Sequence, residues 1–163
     1  VQIMHLSRDT KVEGYPEFHH YKLTWNKHTG FKTEHIPIPT ASGLLCVLGS
    51  GKNEFENRYS LYQKSSNSNT SRNVFQCFTD TLDNIKDIQC GGAPQLVGVI
   101  RKPLTSGINF GIISKGKRYF LGMEIPCNSY FNNIEWRNEL FEICDGETKK
   151  LKTGAAQQPN PNI

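Results

Sequence analysis

Two short stretches hold residue types that could do chemistry. One is Gly49-Ser50-Gly51, a serine between two glycines. The other is Asp87-Ile88-Gln89-Cys90-Gly91-Gly92, an acid and a thiol ahead of a glycine pair. A serine at a helix start stands among backbone N–H groups that have no partner inside the helix. Such a place can hold a carboxylate, or the water that partners an α-amine; a plain N-cap is the simpler role for Ser50. An acid at a helix C-terminus opposes the helix dipole. Asp87 therefore asks for a compensating amine or lysine, unless a local turn satisfies it. Cys90 could act as a nucleophile only with a base beside it, and no histidine is near it in sequence. Gly49, Gly51, Gly91 and Gly92 would shape the two turns.

Other chemistries fit less well. The five histidines, His5, His19, His20, His28 and His35, all lie early in the chain, but without a regular ligand spacing, so no metal is expected. Gly49-Ser50-Gly51-Lys52 lacks the earlier glycine of a phosphate loop, and Asn53 stands where Ser or Thr should follow the lysine. No cofactor is expected. The net charge of +4 is mild and its basic residues are scattered, so nucleic acid is not an expected partner. The basic run Lys149-Lys150-Leu151-Lys152 reads as a solvated end. The five cysteines form no C-x-x-C pair, and their number is odd, which points to a reducing, cytoplasmic setting. No apolar run approaches the ~20 residues of a membrane span, so no membrane association is expected.

The elements that must position these groups follow from periodicity. Val1–Leu6 reads as a strand. Ser7–Pro16 is turn-rich. Tyr21–Trp25 alternates as a half-buried strand, and Asn26–Gly30 returns the chain to a partner at Phe31–Ile36. Leu44–Leu48 is a continuous apolar run, as in a strand buried on both faces. Lys52–Gln63 carries Phe55, Tyr59 and Tyr62 on one helical face. A second helix, capped by Ser71, has Val74, Phe75, Phe78, Leu82 and Ile85 as its stripe and ends at Gly91-Gly92. Further strands are expected at Leu96–Arg101, Ile108–Ser114 and Arg118–Ile125, with a tight turn at Lys115-Gly116. Glu135–Ile143 fits a short helix or a strand. The predicted core joins Val74, Phe78, Leu82 and Ile85 with Val47 and Val97 against a sheet. Thr153–Ile163 reads as a polar tail. The fold class is α+β, antiparallel strands with a two-helix layer, in one domain over residues 1–145 with a tail over 146–163.

Strand, Gly-Ser-Gly, two helices, Asp-x-x-small-Gly-Gly, strand: this order resembles the second half of a proteasome-type subunit, a member of the N-terminal nucleophile (Ntn) hydrolases. The resemblance covers roughly residues 1–125. It implies an αββα sandwich that is incomplete here at the N-terminus. It also implies an amide hydrolase, a threonine-type peptidase by preference, whose nucleophile lies in a preceding segment or a partner chain. Ser50 falls on the serine of the family's Gly-Ser-Gly turn and Asp87 on its aspartate. Cys90 stands where the family has serine. All three would support the site rather than attack. The implied partners are the nucleophile-bearing segment, a peptide or small amide substrate, and further copies in a homo-oligomer. Two alternatives stay open: a non-catalytic assembly or interaction subunit of the same fold, and an unrelated α+β interaction domain.

Overall fold

The structure is a computed structural model and describes residues 1–9, 16–100, 108–129 and 133–157. Residues 10–15 of the expected turn-rich Ser7–Pro16, Arg101 at the end of one expected strand, and the tail from residue 158 lie outside the described residues, while Ser7 and Arg8 belong to a strand rather than a turn. Contacts divide the chain into two units: Val1–Ala41 with the segment that starts at Gly98, and Ser42–Val97 with the C-terminal part of the chain.

The first unit is a three-stranded antiparallel sheet in chain order: β1 (Gln2–Arg8), β2 (Phe18–Asn26) and β3 (Gly30–His35). The hairpin forms where the sequence places it. Asn26 Oδ1 accepts the His28 N–H at 2.8 Å, and Gly30 takes φ +70°. Strand alternation puts His5, Tyr21 and His35 in one cross-strand row, with ring centroids 6.4 and 5.1 Å apart. His20 points to the other face and is buried. Burial holds its imidazole below the usual range, and the nearby His35 adds to the effect.

The second unit holds α1 (Lys52–Tyr62), α2 (Ser71–Asn84) and a five-stranded sheet. Its strands are β4 (Asn109–Ser114), β5 (Lys117–Phe120), β6 (Met123–Ile125), β7 (Ile134–Arg137) and β8 (Ile143–Cys144), ordered β6-β5-β4-β7-β8. The expected turn forms at Lys115-Gly116, with φ +49° and +73°. A second turn of the same kind at Leu121-Gly122, φ +50° and +80°, cuts the expected strand Arg118–Ile125 in two. Glu135–Ile143 resolves into β7, a loop and the start of β8. The sheet is mixed rather than purely antiparallel, because β7 pairs parallel with β4. The fold class is α+β.

Several expectations are corrected. Leu44–Leu48 forms no ladder. It runs as an apolar strap, with Leu44 and Val47 packed on the cluster of Phe55, Tyr59 and Cys77. Leu96–Ile100 forms no strand either, and Val97 is 86 % exposed. An apolar run signals a need for cover, and a packed strap meets that need as well as a ladder does. Thr70, not Ser71, caps α2, its hydroxyl accepting the Asn73 N–H at 3.1 Å.

The buried face of α2 also differs from the expected stripe. Phe75 and Cys77 are buried as an apolar face would have them, but so are Asn73, Gln76, Thr79 and Thr81, while Phe78 is 37 % exposed. Three of these polar residues find local bonds. Asn73 donates to Tyr62 O at 3.0 Å and Ser65 Oγ at 2.9 Å, and the Thr79 and Thr81 hydroxyls donate to carbonyls one turn back. Phe78, expected in the core, lies partly at the surface. The sheet has its own cluster, Ile113, Trp136 and Cys144, backed by Ile125 and Ile134.

Candidate functional site

The helix α1 starts with a turn that frees Ser50 from capping. Gly49 takes φ +109°, open to glycine at little strain. Gly51 is the N-cap, and no side chain caps the helix. Ser50 is therefore not a plain N-cap. It is exposed, and its Oγ lies 3.3 Å from the Cys90 sulfur.

The second turn begins earlier than expected. The helix α2 stops at Asn84, and Ile85 leaves it extended, at φ −67°, ψ 137°. Gly91-Gly92 does not end it. Asp87 closes a turn of its own instead: its Oδ1 accepts the Gln89 N–H at 2.9 Å and its carbonyl accepts the Cys90 N–H at 3.0 Å. Such local capture competes with helix, which gives a physical reason for the early exit. Asp87 is thus a turn residue rather than a helix C-terminal acid. Among the described residues its partners are neutral donors, and the cation expected from the dipole argument is not one of them.

Residues forty positions apart are brought together at this point. The Ser50 hydroxyl, foremost, and the Gln89 N–H hold the Asp87 carboxyl below the usual carboxylate range; burial pushes the other way, and the Cys90 thiol, 3.9 Å from Oδ2, assists. Close approach at Gly51 is what permits the meeting. A Cβ there would lie 2.5 Å from Ile85 Cδ1 and 3.1 Å from the Cys90 sulfur.

Cys90 faces two environments. One side meets Ser50 and Asp87. The other lines a small apolar cavity of about 80 Å³ with Val47, Phe55, Phe78 and Ile85. A reduced thiol suits such a boundary better than a hydroxyl, because it behaves as a small hydrophobe with a weak donor. This gives a local reason for cysteine at the position. The cluster contains an acceptor, a hydroxyl and a thiol. It can fix an incoming donor such as an ammonium group, and the base it offers Cys90 is a weak one, the Asp87 carboxylate at 3.9 Å, held below its usual range.

The depressed carboxyl has a testable sign. A group whose folded pKa lies below its unfolded value, near 3.9 for aspartate, stabilises the fold above that value and loses the contribution as pH falls through the folded pKa. The Asp87 carboxyl signal in a carbon NMR titration should therefore move only at a pH below the ordinary aspartate midpoint. Ser50→Ala should raise that midpoint. An unchanged midpoint in Ser50→Ala would show that the hydroxyl does not set it.

The histidines show no regular metal-ligand spacing in sequence, yet in the first unit Asp9, Glu17 and His19 gather with ligand atoms all within 4.8 Å of one another. Glu17 N donates to Asp9 Oδ1 at 2.8 Å, and His19 Nε2 lies 3.7 Å from Asp9 Oδ2. Asp9 follows β1, Glu17 precedes β2 and His19 lies in β2, so it is the pairing of the two strands that reveals this group. No helix among the described residues is long and apolar enough to cross a membrane. No family model, curated protein or solved structure matches the chain.

Proposed function

We propose that this chain is part of a proteasome-like Ntn amide hydrolase acting on peptide or small amide substrates. The observation that carries the reading is the convergence of Ser50, Asp87 and Cys90 from two turns beside the α1–α2 pair. An Ntn mechanism needs such positioning groups beside a nucleophile whose own α-amine serves as base. In this reading the nucleophile comes from a segment outside this chain. Its oxygen or sulfur adds to the amide carbonyl, the amine leaves with a proton, and water hydrolyses the resulting acyl-enzyme. Asp87 and Ser50 hold the α-amine in place, and the Cys90 thiol packs behind them. A second sheet stacked face to face on the first, with its own helices outside, would complete the αββα sandwich, and homo-oligomers would follow from the family's habit.

The test compares three proteins on fluorogenic peptide amides: residues 1–163, the longer gene product, and the longer product with its first mature residue changed to Ala. Turnover is expected only from the second. Asp87→Asn in that product should lower kcat by about a hundredfold, within the range for a positioned proton-handling group. Silence from a longer product that carries an intact N-terminal Thr, Ser or Cys would favour a non-catalytic assembly subunit. Turnover by residues 1–163 that Cys90→Ala abolishes would make this a cysteine hydrolase instead.

A further inference from the structure

A second polar site lies on the face of α2 formed by Gln76, Thr79, Asp80 and Asp83, the i, i+3, i+4, i+7 spacing of one helix side. With Asn138 and Glu139 from the β7–β8 loop, these residues enclose a cleft of about 310 Å³. The Gln76 side chain lines it. Gln76 is only 5 % exposed, and among the described residues its side-chain amide has no hydrogen-bond partner, although its carbonyl accepts the Thr79 hydroxyl at 2.9 Å. The sealed polar atoms without partners among the described residues belong to His20, Arg58, Asn73 and Arg118, and the Gln76 amide is not one of them: it keeps contact with solvent through the cleft. It is presented to a cavity wide enough for a ligand.

The charge of the lining says which ligand. Three carboxylates border the cleft, Asp80, Asp83 and Glu139, and among the described residues its lining holds no Lys or Arg; Lys115, 67 % exposed, pairs with Asp83 at 2.9 Å. Tyr62 donates its hydroxyl to Asp80. Glu139 is held by two bonds to one oxygen: Oε1 accepts from Ser114 Oγ at 2.9 Å and from the Lys115 N–H at 2.8 Å, which leaves Oε2 for another donor. An anion is disfavoured here. A bare metal ion is disfavoured too, because the only ligand atoms that converge to metal spacing among the described residues are those of Asp9, Glu17 and His19. The space, the negative lining and the unfilled acceptors call for a cation that is both bulky and rich in N–H donors.

We propose that this cleft binds a small organic cation bearing an ammonium or guanidinium group. The charged head donates to Glu139 Oε2 and to the Gln76 amide oxygen. Its remaining N–H groups face Asp83, where Lys115 competes for the same carboxylate. The head group could come free or on the side chain of a basic peptide, and two probes separate these sources: agmatine, and acetyl-Ala-Arg-Ala-amide.

The experiment is an NMR titration of the full chain with each probe, with hexanamide as a neutral control and Mg²⁺ as a metal control. Saturable shifts at the amides of Gln76, Thr79 and Glu139 are expected with at least one probe, and the tighter of the two identifies the source. Glu139→Gln, which keeps the side-chain shape, should weaken binding about tenfold, and Gln76→Leu should weaken it as well. Lys115→Met should act in the opposite sense and tighten binding by a few fold, because it removes the competing cation; a purely structural role for these residues would not change sign. Wild-type titration alone decides the matter if Gln76→Leu fails to fold. No saturable shift with either probe up to millimolar concentration, equal binding of hexanamide, or the same shifts with Mg²⁺ alone would overturn the proposal.

Discussion

Trp136→Ala should destabilise the second unit by about 3–5 kcal/mol, the range for removing a large buried aromatic. Trp136 is 5 % exposed and sits in the cluster with Ile113 and Cys144. Two glycines make room for its ring. A Cβ on Gly111 would lie 2.5 Å from the ring, and one on Gly146 would lie 2.2 Å from it. The Arg118 guanidinium lies over the indole at 5.4 Å, donates to Gly146 O at 3.1 Å and also donates to Pro126 O. Truncating the ring therefore opens a cavity and also loosens a buried arginine, itself 5 % exposed. Gly111→Ala tests the same packing from the other side. Backbone and a rigid ring cannot yield as a flexible side chain does, so this wedge should cost about 1–3 kcal/mol. Urea unfolding measures both. A loss below about 1 kcal/mol for Trp136→Ala would show that the ring is not a keystone of the sheet.

Gly51→Val should part the two turns of the candidate site. The φ of −76° at Gly51 is open to any residue, so the obstacle is space rather than backbone strain. The first added carbon meets Ile85 Cδ1 at 2.5 Å, the far end of a flexible side chain that can swing aside, and alanine would be tolerated better for that reason. The branched methyls of valine also press towards the Cys90 sulfur, 3.1 Å from the Cβ position. The expected loss is about 1–3 kcal/mol. The more specific readout is Asp87. If the turns separate, its carboxyl loses the Ser50 hydroxyl, and its titration midpoint rises towards the ordinary aspartate value, as in Ser50→Ala. A stability loss with an unmoved Asp87 midpoint would show that the wedge is absorbed without breaking the site.

Local sequence determined a good deal of this protein. The β2–β3 hairpin is written in Asn26 and Gly30, because a side-chain-closed turn and a left-handed glycine need no distant partner. The turn at Lys115-Gly116 is legible for the same reason. The helix α1 shows its buried face in the spacing of Phe55 and Tyr59, which stack at 5.8 Å. The residue types of the candidate site were visible too, since a serine between glycines and an acid ahead of Gly-Gly are unusual in themselves.

Tertiary structure decided the rest. Whether Leu44–Leu48 became a strand or a strap depended on what covered it, and periodicity carries no information on that. The buried face of α2 depended on partners for polar groups. Asn73 is buried because Tyr62 O and Ser65 Oγ stand where its amide can reach them. The end of α2 turned on the capture of the Gln89 N–H by Asp87, a short-range bond that outweighed the glycine signal further on. Pairing between β1 and β2 gathered Asp9, Glu17 and His19, and the return of the β7–β8 loop beside α2 formed the acidic cleft. Sequence names the groups that could act; the distances between them belong to the packing of segments far apart in the chain.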